Sequence, residues 1–83
     1  MRTNTQNRPL YKIANEILKD WPNGQSNYHA MPYIKAMAQL SSIHDDFHND
    51  SARSIVLYFL SNARAWRGEN ARRIKLELQE MLK

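Results

Sequence analysis

The chain has 83 residues, enough for one domain, and none of its apolar stretches approaches the roughly 20 residues of a membrane-spanning helix. It has no cysteine, which excludes disulfides and thiolate metal sites, so the 42% of hydrophobic residues must hold the fold together. The net charge of +4 favours an anionic partner, and residues 1–9 lack the apolar centre of a signal peptide. We therefore predict a cytoplasmic protein that has no contact with a membrane and requires no cofactor.

A first helix is predicted after a short polar tail. Residues 1–8 show no hydrophobic periodicity and are assigned to a flexible N-terminal tail. Pro9 suits a first helical turn because it has no N–H group that would need a partner. From Leu10 to Trp21 the apolar residues recur at helical spacing, and the proline that follows disfavours a helical conformation in the residue before it. The pattern predicts a helix over 9–21.

A second helix is predicted over 31–42, and its apolar stripe is short. The segment has a proline in its first turn and follows a loop with too few apolar residues for regular structure. The residues expected on its buried side are Tyr33, Ala36, Met37 and Leu40. In the connection that follows, Phe47 is expected to contact the core and Asp50 to cap the next helix.

The third helix, predicted over 51–64, contains the longest apolar run, Ile55 to Leu60. The β-branched and aromatic residues of this run also fit a strand. A lone strand would leave its backbone groups unpaired, and no other segment resembles a strand that could pair with it, so a helix is preferred. The residues expected on its buried side are Ala52, Ile55, Phe59, Asn62, Ala63 and Trp66. Such a helix is expected to be buried over most of its circumference.

A fourth helix is predicted over 69–82, because apolar residues again recur at helical spacing. Gly68 suits the left-handed residue that ends the third helix, although a break between the two helices also fits Asn62. The predicted fold is all-α. It is a compact bundle of about four helices around the hydrophobic third helix, in a single domain over 9–83.

The connection before the third helix carries residue types that bind metals in other proteins, namely His44, Asp45, Asp46, His48 and Asp50. A solvated acidic loop explains the same residues, because the segment is not expected to be helical and its spacing does not fit a calcium-binding loop. The chain also has no glycine-rich phosphate loop and no serine in a nucleophile elbow. We predict no metal site, no catalytic residue and no enzymatic activity.

A basic segment is the best functional candidate. Five of the twelve Lys and Arg residues lie between residues 64 and 75, where Glu69 is the only acid. Arginine presents a fork of donors that matches a carboxylate or a phosphate. The residues predicted to bind a partner are Arg64, Arg67, Arg72, Arg73, Lys75 and Leu76. Trp66 is expected to be a core anchor beside them rather than a platform for base stacking.

Three interpretations of this basic segment are open. It is a solvated surface, an interface with the acidic surface of another protein, or a contact with nucleic acid. The nucleic-acid alternative includes a helix-turn-helix arrangement, in which Asn70 would read a groove beside the arginines. Leu57 and Leu76 project from otherwise polar faces, as expected of a protein-binding patch or a homodimer interface.

Three segments resemble small, mostly uncharacterised helical proteins that are encoded by phages and prophages. They are Met31 to Met37, Asp50 to Asn62 and Trp66 to Leu78, and the resemblance extends over residues 10–83. It implies an accessory protein that is made during phage growth, acts in the host cytoplasm and binds a host or phage macromolecule. It implies no catalytic residue. We therefore predict a non-enzymatic binding protein that uses the basic segment, with nucleic-acid binding as the alternative.

Overall fold

The computed structural model describes residues 8–22 and 27–83 of the chain. Within these ranges the chain forms helices and one short β-hairpin. In chain order the elements are α1 (Leu10–Asp20), α2 (Met31–Met37), β1 (Asp46–Phe47), β2 (Asp50–Ser51), α3 (Ala52–Ser61) and α4 (Glu69–Met81). The prediction of a compact, mostly helical fold is confirmed, but the fold is not purely all-α because it also contains the hairpin. Residues 1–7 of the predicted tail, and the middle of the predicted loop after α1, lie outside the described residues.

The first helix begins where its N-terminal amides find acceptors in a later part of the chain. The N–H groups of Leu10 and Tyr11 donate to the carbonyls of Ser41 and Leu40, at 3.1 and 2.9 Å. Pro9 precedes the helix instead of entering it, because its ψ of 142° is extended. These hydrogen bonds satisfy amides that have no acceptor within α1 and attach its start to the segment after α2.

The second helix ends at Met37, before the predicted end at residue 42. The N–H groups of Ser41 and Ser42 donate to the Asp45 carboxylate, at 2.9 and 3.0 Å, instead of continuing the helix. The Asp45 N–H donates in return to the Ser42 carbonyl at 3.0 Å. This clamp turns the chain toward the hairpin, and it depends on a side chain that lies beyond the helical pattern.

The bundle is not arranged around α3 as predicted. Helix α2 packs against both α1 and α3, and α1 also packs against α4. Ile34 of α2, which the predicted stripe leaves out, is fully buried as a result. On α3, Leu57 is 51% exposed and Tyr58 is 49% exposed. The third helix is therefore buried on one side and open to solvent on the other.

A short antiparallel hairpin stands in place of the predicted loop before α3. Its register pairs Asp46 with Ser51 and Phe47 with Asp50. The turn contains His48 with a φ of 55°, and Phe47 packs against the core as predicted. Asp50 is not the helix cap, because α3 begins at Ala52 and the residue directly before it is Ser51. Ser51 caps α3 instead, and its Oγ accepts the N–H of Ser54 at 3.1 Å.

The connection between α3 and α4 is longer than predicted, because α3 ends one residue before Asn62. The Asn62 side chain is exposed, not buried as predicted, and its Nδ2 donates to the Tyr58 carbonyl at 2.8 Å. Gly68 does not end α3. It stands directly before α4 with φ 114° and ψ −179°, a backbone region that is essentially restricted to glycine. The chain between these two residues carries Trp66 into the core.

All helices of the described residues contribute to one hydrophobic core. The large side chains that are fully buried include Leu10, Ile13, Ile17, Ile34, Met37, Val56, Phe59, Ile74 and Leu78. No helix within residues 8–22 and 27–83 combines the length and the apolar character that crossing a membrane requires.

Candidate basic binding pocket

Trp66 anchors the basic segment to the hydrophobic core. Its side chain is only 2% exposed, and its ring stacks on that of Trp21 with centroids 5.8 Å apart and planes 7° apart. The edge-on contact with Phe59 has a centroid distance of 6.1 Å. The indole Nε1 donates to Asp20 Oδ2 at 2.8 Å, which satisfies the polar end of the ring. Trp66 is therefore the core anchor that the sequence predicts, and its ring is not available to stack on a base.

Lys75 lies over the ring of this anchor. Its Nζ donates to the Trp66 backbone carbonyl at 2.7 Å and lies 5.8 Å from the centroid of the Trp66 ring. Burial, followed by repulsion from the Arg67 guanidinium, lowers the pKa of the Lys75 ammonium. The ammonium is thus held in one place, next to a second positive charge.

Around Lys75 the chain leaves a surface pocket of about 330 Å³. Its lining consists of Trp66, Arg67, Gly68, Ala71, Arg72 and Lys75. The two arginines are exposed, and no carboxylate of the described residues forms a salt bridge with any of the three cations. Gly68 offers no side-chain acceptor to the first turn of α4, so the positive end of the helix dipole lies near the pocket, where the exposed carboxylate of Glu69 in the same turn opposes it. The pocket concentrates positive charge without a counter-ion from the described part of the chain.

Arg73 belongs to a different arrangement, although it follows Arg72 directly. Its guanidinium forms a salt bridge with Glu16 of α1. Glu16 also accepts a hydrogen bond from Arg8 Nη1 at 2.7 Å, and Arg8 binds both Glu77 carboxylate oxygens at 2.7 and 3.0 Å. We call these four residues the α1–α4 clasp. Arg8, which the sequence prediction placed in the tail, is therefore part of the folded domain.

Titration behaviour reflects the pairing within the clasp. The hydrogen bonds from Arg8 and then from Arg73 lower the pKa of Glu16. The hydrogen bond to Glu77 raises the pKa of Arg8 above its ordinary value. A neighbouring carboxylate, Asp20, has its pKa lowered by hydrogen bonds from Asn70 and from Trp66. These acids lie near the basic segment, but each is already bound by donors of the chain.

The structure brings together half of the predicted site. Arg67, Arg72 and Lys75 surround the pocket, whereas Arg73 points to the clasp. Arg64 is exposed in the connection before the pocket and does not line it. Leu76 also lies outside the pocket, 57% exposed, one helical turn after Arg72.

Sequence reasoning did not assign Gly68 and Ala71 to the site, although both line it. The signal that could have found them is their size, since two small residues between large cations leave room for a pocket. Asn70, the residue considered as a groove reader, donates from Nδ2 to Asp20 Oδ1 at 3.0 Å. Its side chain is thus already engaged within the fold.

The hairpin and the chain before it do not assemble a metal site. Within the described ranges, no group of three or more His, Asp or Glu side chains is placed to hold a metal ion. The Asp45 carboxylate binds backbone amides instead, and the hydrogen bonds from Ser42 and then Ser41 lower its pKa. Its role is to shape the connection after α2.

The chain matches no protein-family model, and no curated protein or solved structure is significantly similar to it.

Proposed function

We propose that this chain is a non-enzymatic binding protein that contacts the acidic surface of a partner protein through the basic pocket. The observation that carries the proposal is the uncompensated charge of Arg67, Arg72 and Lys75 around one pocket. Glu16, Glu77 and Asp20 are bound on the other side of α4, by the clasp and by Trp66. Glu69, in the first turn of α4, is exposed and forms no salt bridge with the described residues. An external carboxylate would supply the counter-ion that the described residues do not provide.

Two further observations favour a protein over a nucleic acid. Single-stranded nucleic acids are usually bound with exposed aromatic rings, but the aromatic ring of this pocket, that of Trp66, is buried. Groove reading would need polar side chains that are free to move, but Asn70 and Arg73 are held by Asp20 and Glu16. Leu76, by contrast, adds an exposed apolar side chain next to Arg72, a combination that is typical of protein interfaces.

The proposal is tested by charge reversal in the pocket and by a choice of polyanions. The variant R67E/R72E is compared with K12E/K35E, which changes the net charge equally at exposed positions of α1 and α2. Binding of poly-L-glutamate, a duplex oligonucleotide and a single-stranded oligonucleotide is measured by fluorescence anisotropy at about 50 and about 200 mM salt. We expect poly-L-glutamate to bind the wild type and K12E/K35E, and to lose at least about tenfold in affinity for R67E/R72E.

Two results would overturn the proposal. If an oligonucleotide binds more tightly than poly-L-glutamate at the higher salt concentration and R67E/R72E abolishes this binding, the partner is a nucleic acid. If the two double variants lose affinity equally, net charge alone explains the binding and the pocket has no specific role.

A further inference from the structure

We infer that the pocket recognises an extended acidic segment in which an apolar residue follows the acid two positions later. The acid's carboxylate enters the pocket between Arg67 and Arg72, and the apolar side chain rests on Leu76. The inference rests on the proposed function and names the part of the partner that this site would bind.

The pocket has the size and chemistry for one acidic side chain. Its volume of about 330 Å³ lies at the lower end of the range for small-ligand sites. Two guanidinium groups at its rim offer forks of donors that match a carboxylate. Lys75, held by the Trp66 carbonyl at 2.7 Å, adds a fixed point charge. Burial and then repulsion from Arg67 lower the pKa of Lys75, and a carboxylate bound here would reduce that repulsion.

The position of Leu76 supplies the second half of the motif. Arg72 and Leu76 are four residues apart on α4, so their Cβ atoms are about 5–6 Å apart on the same face. Two side chains on the same face of an extended segment are two residues apart, which is about 6.6–6.8 Å. An acid held at Arg72 would therefore place the side chain two residues later above Leu76, and the residue between them would point away.

This arrangement separates two contributions to binding. The arginine contacts are electrostatic, so salt screens them. Burial of the exposed Leu76 side chain contributes through the hydrophobic effect, which salt does not screen. Leu57 provides a matched control, because it is a similarly exposed leucine on α3 and not on α4. The affinity of a partner segment that uses the motif should depend on Leu76 and should not depend on Leu57.

The test uses two heptapeptides of identical composition with blocked ends. Each has one glutamate and one leucine among serines. In the spaced peptide the leucine follows the glutamate by two positions, and in the adjacent peptide it follows directly. Dissociation constants are measured by ¹⁵N NMR titration of the full chain, with inorganic phosphate as a third probe. We expect the spaced peptide to bind roughly fivefold to tenfold more tightly than the adjacent one.

The variants then assign the two contributions. Leu76→Ala should reduce binding of the spaced peptide to the level of the adjacent peptide, and Leu57→Ala should leave it unchanged. Arg72→Lys should weaken both peptides, because lysine cannot form the forked contact. Raising the salt concentration should weaken both peptides equally, so that the ratio between them persists.

Three outcomes would overturn the inference. If both peptides bind equally and both require Arg67 and Arg72, the acidic contact of the proposed function is retained but the motif is wrong. If phosphate binds as tightly as the spaced peptide, the pocket is a site for small anions. If neither peptide binds while poly-L-glutamate still does, the pocket recognises charge density and not a single acid followed by an apolar residue.

Discussion

The two sides of α4 use the same residue types to opposite effect. On the side that faces α1, the clasp pairs Arg8 and Arg73 with two glutamates, and each charge has a partner. On the other side, Arg67 and Arg72 line a pocket without any salt bridge to the described residues. Adjacent positions on a helix differ by about 100° in direction, so Arg72 and Arg73 belong to different sides despite being neighbours in sequence. A count of basic residues therefore overstates the charge that is available to a partner.

Loss of Trp66 should have the largest effect, because both sides of α4 depend on it. Its Nε1 binds Asp20 on the α1 side, and its carbonyl holds Lys75 on the pocket side. Trp66→Ala removes a large buried side chain and should reduce the free energy of unfolding by roughly 3–5 kcal/mol. This loss is comparable with the whole stability of so small a domain, so we expect a variant that is largely unfolded in circular dichroism.

A milder substitution at the same position separates packing from hydrogen bonding. Trp66→Phe keeps an aromatic ring next to Trp21 but loses the hydrogen bond to Asp20, and it should remain folded with a measurable loss of stability. An Ala variant as stable as the wild type in urea denaturation would show that the ring does not anchor α4.

Gly68 should rank second, because it sets the direction in which α4 leaves the connection. A Cβ atom at this position would meet no other atom within 4 Å, so space does not limit the substitution. The backbone conformation limits it, because the φ of 114° at Gly68 is strained for any residue with a side chain. Gly68→Ala should cost about 1–3 kcal/mol in urea denaturation. An unchanged midpoint would mean that the connection adopts another conformation at no cost.

The clasp should contribute a smaller amount that depends on pH. The pKa of Glu16 is lowered in the folded state, so its contribution is present above the ordinary value of 4.5 and is lost as the pH falls through the folded-state pKa. Glu16→Gln should reduce stability by about 1 kcal/mol at neutral pH, and the difference from the wild type should shrink in acid. Denaturation curves across this pH range provide the measurement.

A second glutamate serves as the control for the clasp. Glu80 pairs only with Lys83 among the described residues, and both side chains are largely exposed. Glu80→Gln should therefore change stability by less than Glu16→Gln at every pH. If the two variants behave alike, the clasp is no stronger than an ordinary surface ion pair.

The smallest effect on stability is expected on the pocket side. Arg67 and Arg72 form no ion pair with the described residues, so the double variant R67A/R72A should stay within about 0.5 kcal/mol of the wild type. The same variant should lose binding to poly-L-glutamate. A large loss of stability would show that these arginines support the fold, and the contrast between the two sides of α4 would disappear.

The starts of the helices could be predicted from the sequence to within one residue. The prolines near the starts of α1 and α2 are local signals of these starts. For α3 the predicted cap, Asp50, is one residue too early, and Gly68, which was assigned to the end of α3, stands before α4. The predicted ends of α2 and α3, at residues 42 and 64, lie too late, whereas the alternative break at Asn62 is confirmed by the end of α3 at Ser61. The chain after α2 is held by the Asp45 carboxylate, whose contacts with Ser41 and Ser42 do not appear in hydrophobic periodicity. The hairpin was missed because two residues per strand are too few to show a period.

The sequence predicts which basic residues lie near the candidate site, but not which of them line the pocket and which form salt bridges within the fold. The concentration of cations near Trp66 is visible in the sequence, and Arg67, Arg72 and Lys75 do lie together. The pairing of Arg73 with Glu16 joins two residues that are distant in the chain, so no local pattern indicates it. Only the packing of α1 against α4 decides which arginine finds a carboxylate and which remains open.

The stacked indoles have an optical consequence. Trp21 and Trp66 are the only tryptophans in the chain, and their rings are nearly parallel with centroids 5.8 Å apart. Chromophores this close couple their excited states, so the near-ultraviolet circular dichroism of the protein should carry the signature of an interacting pair. Because Trp66 also lines the pocket, an occupant should perturb that signature without any attached dye. The fold thus carries its own reporter at the place where we propose that a partner binds.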